Sequence, residues 1–433
     1  MKLIKSFYFS FGTKILSLAI LLISRILTAR ILNPSDFGSI GNALNFATII
    51  TRWGSMGIGP ATQFTASKYS AQKNILLIYA ILFSVFLGVS GLLIFFYFEV
   101  KILSWQFAND SNGRLVFLKF IPWLPIITLS MTLPILLLGL GRFRQYSFTQ
   151  VLPLFFQAIV ICIAYNRQNA FELVILAQII SWISTVVIAF LFTDYKNSGS
   201  KFDGELLSIY VQYALKAWPQ VILQFGISRF AALIGNYYLT SQELGYYILA
   251  SNLSESFLIF STSITPIIFN RVASKGPDFS FLGRSLRFSN LVFIMLCPII
   301  TFLGKPIFIY TFGIDYAASW NLLLLLLISV MFQAMTRICL NYMAALGKNT
   351  LLSGIQFCQL IILFFSGFSF CPVFGVPGLC YAGIIASITG FTFCIFTIKK
   401  LEKKQNSELF SLFLFTREDI KVLSQIKLFY DKK

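Results

Sequence analysis

The chain has 433 residues, 57% of them hydrophobic and only 12% charged, and its 34 Lys and Arg outnumber 16 Asp and Glu to leave a formal net charge of +18. An average soluble domain is roughly 45–50% apolar and about 25% charged, so the composition excludes a water-soluble protein and points to a polytopic membrane protein. Histidine is absent, which removes imidazole acid–base chemistry and most zinc sites.

Apolar runs of about 20 residues, the length that crosses roughly 30 Å of hydrocarbon, predict an all-α protein with twelve transmembrane helices. They fall near 13–32, 37–62, 74–97, 115–140, 146–165, 171–193, 218–239, 244–268, 285–303, 317–345, 349–371 and 376–398. The first run follows Lys2, Lys5 and Lys14 but shows no small-residue cleavage site, so it is expected as a retained helix rather than a signal peptide. An even number of spans puts both termini on one side. Lys and Arg gather in the terminal segments and in the even-numbered loops, at Lys68, Lys73, Arg142, Arg144, Lys196, Lys201, Arg271, Lys275, Arg284, Arg287 and Lys348. The other side holds Lys101, Arg114, Lys119, Arg167 and Lys305, with Arg30 at the boundary. Both termini are therefore expected in the cytoplasm. Much of the positive charge is topological, and no soluble basic domain is available to hold nucleic acid. The longest outer loop is expected at about 98–114, with Glu99 and Asp110 its acids. The seven cysteines lie within or beside apolar spans without metal-site spacing and read as packing residues. No cofactor is expected.

Sliding the sequence against itself by 207 positions superimposes the segment starting at Leu32 on that starting at Leu239, with Gly38 on Gly245, Ala43 on Ala250, Asn45 on Asn252 and Ala66-Ser67-Lys68 on Ala273-Ser274-Lys275. At 206 positions Leu140–Arg142 falls on Leu346–Lys348 and Gln150 on Gln356. A period near half the chain predicts two parallel six-helix lobes around a central cavity, related by an axis along the membrane normal. The expected units are an N-terminal lobe at 1–197, a linker at 198–205, a C-terminal lobe at 206–398 and a basic amphipathic tail at 399–433. Each lobe is expected to open with a short amphipathic stretch, and Pro219, which cannot continue an interior hydrogen-bond ladder, predicts a break in the second.

Polar stripes mark the candidate site. Span two carries Asn42, Asn45, Thr48, Arg52 and Ser55 at steps of three and four, which share one helical face. Asn252 and Glu255 take the equivalent face of span eight, and Gln333, Arg337 and Asn341 stripe span ten. Arg25 in span one and Arg229 in span seven put a cation on the lead helix of each lobe. An arginine near the bilayer centre costs about 2.5–3.5 kcal/mol on insertion scales, so such residues face a bundle interior or a cavity. Arg25, Arg52, Arg229, Asn45, Asn252 and Arg337 are the expected substrate contacts, with snorkelling to headgroups the alternative for Arg337. Glu255 is either the structural partner of Arg229 or a protonatable ion-coupling group.

The N-terminal "LLISRILTARILNPSDFGSIGNALNF" and "WGSMGIGPATQFTASK" resemble the opening of polysaccharide-export translocases, the O-antigen and capsule flippases. So do "LTSQELGYYILASNLSE", "TPIIFNRVASK", "TFGIDYAASWNLLLLL", "ALGKNTLL" and "VFGVPGLCYAGIIASITG". That family belongs to the multidrug, oligosaccharidyl-lipid and polysaccharide exporter superfamily. The resemblance implies alternating access by two six-helix lobes in a bacterial inner membrane. It also implies a polyprenyl-diphosphate-linked oligosaccharide as cargo, moved from the inner to the outer leaflet, with Arg25 and Arg52 where related flippases carry diphosphate-facing cations. Other polysaccharide-assembly proteins are possible partners, through the tail among other surfaces. A cation-coupled multidrug exporter of the same superfamily is the alternative, although the deep charges here are arginines rather than acids. A membrane polysaccharide polymerase or ligase would need catalytic groups on a large outer loop.

Overall fold

The computed structural model describes residues 2–107, 110–165, 167–194 and 203–402, apart from 260, 263, 266, 267, 269, 270 and 273–275. The expected amphipathic tail beyond 402 and the linker up to 202 lie outside the described residues. Among those described, every regular element is helical. The first half holds α1 (Lys2–Ile31), α2 (Pro34–Gly54), α3 (Ile58–Lys68), α4 (Lys73–Gln106), α5 (Ser111–Phe120), α6 (Leu124–Gly139), α7 (Phe143–Ala164) and α8 (Ala170–Phe192). The second holds α9 (Gly204–Tyr238), α10 (Ser241–Ser256), α11 (Phe279–Phe312), α12 (Ala318–Ala345), α13 (Asn349–Phe374) and α14 (Val376–Glu402).

Helix starts recur along the chain. Ser241 follows Pro34 by 207 residues, while Phe279 follows Lys73, Asn349 follows Phe143 and Val376 follows Ala170 by 206. Both α4 and α11 run 34 residues. Three of these starts are capped by ordinary chemistry: Asn33, Thr240 and Asp278 accept backbone N–H bonds from residues three ahead, and Thr240 and Glu243 close a reciprocal capping box.

Eight helices are long and apolar enough to cross a membrane, four from each half. Among the described residues α1, α2, α3, α9 and α10 fall outside that group; α1, α2 with its continuation α3, α9 and α10 are the first two spans of each repeat, and they complete the twelve-span frame of this multi-pass membrane protein. Of these, α2 and α10 are largely buried against one another, whereas α1 keeps Ile15, Leu16 and Ile23 exposed.

Several expected boundaries are corrected. The run at 37–62 is not one helix: α2 ends at Gly54, and Gly57 takes φ 76° before α3 begins. A Cβ at Gly57 would lie 2.2 Å from the Ala214 carbonyl oxygen, so the backbone of α9 itself occupies that space. Its counterpart α10 is broken too, by a turn at Phe257 and Leu258, with helical residues resuming at Ile259. The run at 115–140 divides into α5 and α6 across a 3-10 turn at Ile121–Trp123, where Pro122 and Pro125 lack the N–H a continuous ladder needs. The long outer loop expected at 98–114 is mostly helix, because α4 continues to Gln106 and Asp110 already caps α5 through the Gly113 N–H. Pro219 does not break α9, which is continuous for 35 residues. Pro219 is exposed and removes one bond, a loss membrane helices tolerate where neighbours hold them. Here the Trp218 indole donates to the Trp53 carbonyl at 2.7 Å. The C-terminal end of the expected linker is helical as well, with Asp203 capping α9.

The apolar core forks. Its largest cluster mixes residues of both halves, among them Phe37, Ile40 and Ala43 of α2 with Leu244, Ile248 and Ala250 of α10, at the end that carries the α1–α2 and α9–α10 turns. Toward the opposite end the core separates into one cluster around α3, α4, α6 and the start of α9, and another around α11 to α14. The joined end is a close helix crossing. A Cβ on Gly38 would meet the Ser241 carbonyl at 2.0 Å, and one on Gly245 would meet the Pro34 carbonyl at 2.0 Å. Small residues matter here because lipid gives helices no hydrophobic reason to associate, so close backbone approach carries the contact. Asn42 donates to Asn236 at 2.6 Å across the same crossing, Tyr316 donates to the Leu32 carbonyl at 3.0 Å, and Arg30 bonds the carbonyls of Thr311 and Tyr310.

In the N-terminal branch of the fork, Tyr210 of α9 and Thr62 of α3 share a hydroxyl hydrogen bond of 2.7 Å, both side chains being fully buried. Tyr210→Phe leaves the Thr62 hydroxyl short of a partner and is expected to lower stability by about 1–3 kcal/mol. Thermal unfolding of the detergent-solubilised protein reads this directly, and an unchanged midpoint would show the bond to be dispensable.

Candidate functional site

Between the branches of the fork lies a cavity in three connected compartments. One of about 430 Å³ is lined by Arg25, Asn45, Thr48, Arg52, Arg229 and Asn252, with Gln157, Gln178, Trp182 and Phe225. A second of about 390 Å³ shares Arg25 and Asn252 with the first and adds Lys14, Tyr146, Gln150, Glu255 and Arg337. A third of about 340 Å³ joins Arg52 to Arg337 past Ser55, Gln63, Gln224 and Ser228. All seven residues singled out from the sequence thus line this space. Among the described residues four arginines, from α1, α2, α9 and α12, line it with a single acid, Glu255.

The arginines differ in their partners. Arg229 pairs with Glu255 at 3.4 Å, with both side chains about a quarter exposed. That pairing follows from the break after α10, which leaves Glu255 in the last turn before the chain bends. Arg25 donates to the backbone carbonyl of Asn252 at 2.7 Å, linking the two halves across the cavity. Arg52 stands with its guanidinium 5.8 Å from the Phe225 ring, and its buried Nε has no hydrogen-bond partner. Arg337 makes no side-chain hydrogen bond or ion pair among the described residues, although the field of Glu255 reaches both it and Arg25. Both Arg52 and Arg337 are half-buried, and a cation withdrawn from water without a partner is expensive.

The stripe on α2 divides by task. Asn45, Thr48, Arg52 and Ser55 line the cavity, whereas Asn42 is fully buried and spent on Asn236, with Gln106 donating to it at 3.3 Å. Trp53 gives its carbonyl to Trp218 and so serves the inter-helix contact. Outside the cavity, Arg271 pairs with Asp278 at 2.8 Å and stacks on Phe281 at 4.2 Å. Burial pushes the Asp278 carboxyl up, but the Phe281 N–H and the Arg271 guanidinium outweigh it and hold the carboxyl below its usual value.

Amides extend the lining beyond the expected contacts, and only Gln333 among them belongs to a stripe read from the sequence. Gln157 and Gln178 bond each other at 3.0 Å on the cavity wall, and Gln224, Gln333, Gln356 and Gln359 surround its edge on the C-terminal side. Gln356 is the repeat partner of Gln150, which also lines the cavity, so the 206-residue offset was the signal that could have found it. Among the described residues no three His, Cys, Asp or Glu side chains group as a metal would need.

A family profile described as "Polysaccharide biosynthesis protein" matches residues 27–316. No curated protein sequence matches significantly. The fold is similar to an inward-facing multidrug resistance MATE family transporter of the MOP superfamily, with a TM-score of 0.73 at 12% identity over 90% of this chain and 96% of the other. It is also similar to the lipid II flippase MurJ in an inward closed conformation, with a TM-score of 0.71 at 15% identity over 92% of this chain and 87% of the other. A MOP superfamily transporter from Pyrococcus furiosus, in which a reverse polarity of the binding pocket is taken to suggest a different function, matches with a TM-score of 0.58 at 13% identity over 92% and 97% of the two chains.

Proposed function

We propose, starting from the premise that this chain belongs to the polysaccharide biosynthesis protein family, that it is a flippase for polyprenyl-diphosphate-linked oligosaccharide rather than an enzyme acting on it. One observation carries the reading: four arginines from both halves line a single cavity that holds one acid. A lipid diphosphate carries an ionised oxygen on each phosphate, and guanidinium presents paired planar donors that suit such oxygens. Sugars ask for amides and hydroxyls, which the same walls supply. A multidrug exporter for cations would need the opposite polarity.

The two halves then alternate around this fixed site. With the Lys- and Arg-rich loops in the cytoplasm of an inner membrane, the joined end lies outside and the fork opens inward, ready to receive cargo from the inner leaflet. The lipid tail stays in the bilayer while the diphosphate meets Arg25 and Arg52, and Asn45 and Asn252 flank the route. Loading would compete with the Asn252 carbonyl for Arg25, freeing one link between the halves.

The test is leaflet accessibility. Vesicles containing the purified chain are loaded with a lipid-diphosphate oligosaccharide, and its exposure to an external glycan-modifying enzyme is followed. Protein-dependent exposure is expected; exposure no faster than in protein-free vesicles would overturn the reading. The same vesicles separate the two roles of Glu255. If it cycles a proton against Arg229, Glu255→Gln impairs flipping more than Glu255→Asp does, and if it is only a structural partner the two variants fall together with stability.

A further inference from the structure

The cavity wall is not the same in the two halves. On the N-terminal side Gln157 of α7 donates to Gln178 of α8 at 3.0 Å, and both half-buried side chains line the compartment of about 430 Å³. The 206-residue offset that carries α7 and α8 onto α13 and α14 places Leu363 and Ile384 at these two positions. Helices α13 and α14 pack against each other with apolar residues there, so the fold does not need the amides to join a helix pair. An amide withdrawn from water is unfavourable unless its hydrogen bonds are replaced. Gln157 and Gln178 replace only one for each other, which marks the pair as a contact for something in the cavity.

The atoms left over say what that is. Gln157 keeps its carbonyl oxygen and Gln178 its NH2 group, and neither has a hydrogen-bond partner among the described residues or is sealed off from the cavity. Turning both amides over exchanges the roles and leaves the same complement, one acceptor beside one donor. A carboxylate or phosphate offers acceptors alone, and a trans acetamido group points its N–H and its carbonyl in opposite directions. Two hydroxyls on neighbouring carbons offer both from one side: one donates to the carbonyl oxygen while the other accepts from the NH2 group. The compartment lies within the range of roughly 300–1,000 Å³ typical of small-molecule sites, and Arg25, Arg52 and Arg229 line it too. The sugar concerned is therefore the one next to the diphosphate.

We propose that Gln157 and Gln178 hold a pair of neighbouring hydroxyls on the sugar next to the diphosphate, seating it against the N-terminal wall. This rests on the flippase reading and names the residues that choose among sugars. With Leu363 and Ile384 at the equivalent positions, the C-terminal wall offers no matching pair, so the cargo takes one orientation in a cavity built from repeated helices.

The experiment measures binding of three probes to the full chain in nanodiscs: polyprenyl diphosphate carrying glucose, 3-deoxyglucose or 6-deoxyglucose. Both deoxy sugars lack one hydroxyl, but only 3-deoxyglucose loses every neighbouring hydroxyl pair of the ring. Its lipid is expected to bind about tenfold more weakly than the other two. In the double variant Gln157→Leu with Gln178→Ile, which takes its residues from the C-terminal half, the three affinities are expected to converge. Gln157→Met, similar in length but without an amide, reads the same contrast should the double variant not insert. Each ratio is taken within one protein, so a change in overall affinity does not enter it. Equal binding of the 3-deoxy and 6-deoxy lipids by the unaltered chain, or a contrast that survives in the variants, overturns the inference alone. Binding of none of the three overturns the flippase reading with it.

Discussion

Arg25→Ala and Arg52→Ala are each expected to cut flipping of lipid-diphosphate oligosaccharide by roughly 10- to 150-fold, the equivalent of about 1.5–3 kcal/mol for one hydrogen bond to a charged group. Arg25 stands where two compartments meet and spends one donor on the Asn252 carbonyl. Arg52 stands at the next junction with an unfilled Nε. Cargo can hardly pass from one compartment to another without meeting them. Neither pairs with an acid among the described residues, so Arg52→Ala relieves desolvation and thermal stability should not fall, whereas Arg25→Ala gives up the bond to the Asn252 carbonyl and is expected to lose about 1.5–3 kcal/mol. Arg25→Lys keeps a charge but loses the planar fork, and an intermediate rate is expected. Flipping at the unaltered rate by both alanine variants would separate the cavity from the transport route.

The second large effect is expected at the helix crossing. Gly38→Ala drives a methyl group into the Ser241 carbonyl, and Gly245→Ala drives one into the Pro34 carbonyl, at the same 2.0 Å. The obstacle is backbone in both cases and no rotamer can move it, so α2 and α10 must separate. Overpacking of this kind costs about 1–3 kcal/mol, enough to shift an equilibrium between joined and parted ends by roughly 5- to 150-fold. Cysteines placed near Pro34 and Ser241 in a background lacking the native cysteines would report the change as faster labelling by a membrane-impermeant thiol reagent. Because the two contacts mirror one another, the two variants should behave alike. A large effect from one and none from the other would contradict the symmetry of the crossing.

The repeat was legible in the sequence because its identities cluster where symmetry is enforced. Gly38 and Gly245 touch each other's helices, and Ala43 and Ala250 are fully buried in the shared cluster. Lipid-facing positions between them carry no such constraint and have drifted. Helix ends were less legible: the segment from Phe98 to Gln106 is polar enough to read as loop, yet it continues α4, and Phe107 packs on Phe46 at 5.9 Å. The break at Gly57 depends on the path of α9, which is a tertiary fact. Among site residues, charges stood out against apolar runs, whereas glutamine is an ordinary helix former and the group of Gln224, Gln333, Gln356 and Gln359 forms only when α9, α12 and α13 come together. Asn42 shows the limit of stripe reasoning, since it shares a face with Arg52 but is turned into the crossing.

The division between eight apolar helices and the more polar ones has a consequence for how the chain is made. Among the described residues α2, α9 and α10 are not among those long and apolar enough to cross a membrane, and charge within the span, such as Arg52, Arg229 or Glu255, makes each a poor independent passenger into lipid. Their stability in the bilayer depends on neighbours synthesised later: α2 needs the backbone of α10 at Gly38, some two hundred residues downstream. The emerging chain should therefore hold its lead helices at the edge of the insertion machinery until the second half arrives to enclose them. Nascent chains stopped before α10 would remain accessible to proteases, and the cargo cavity and the last step of membrane integration would form together.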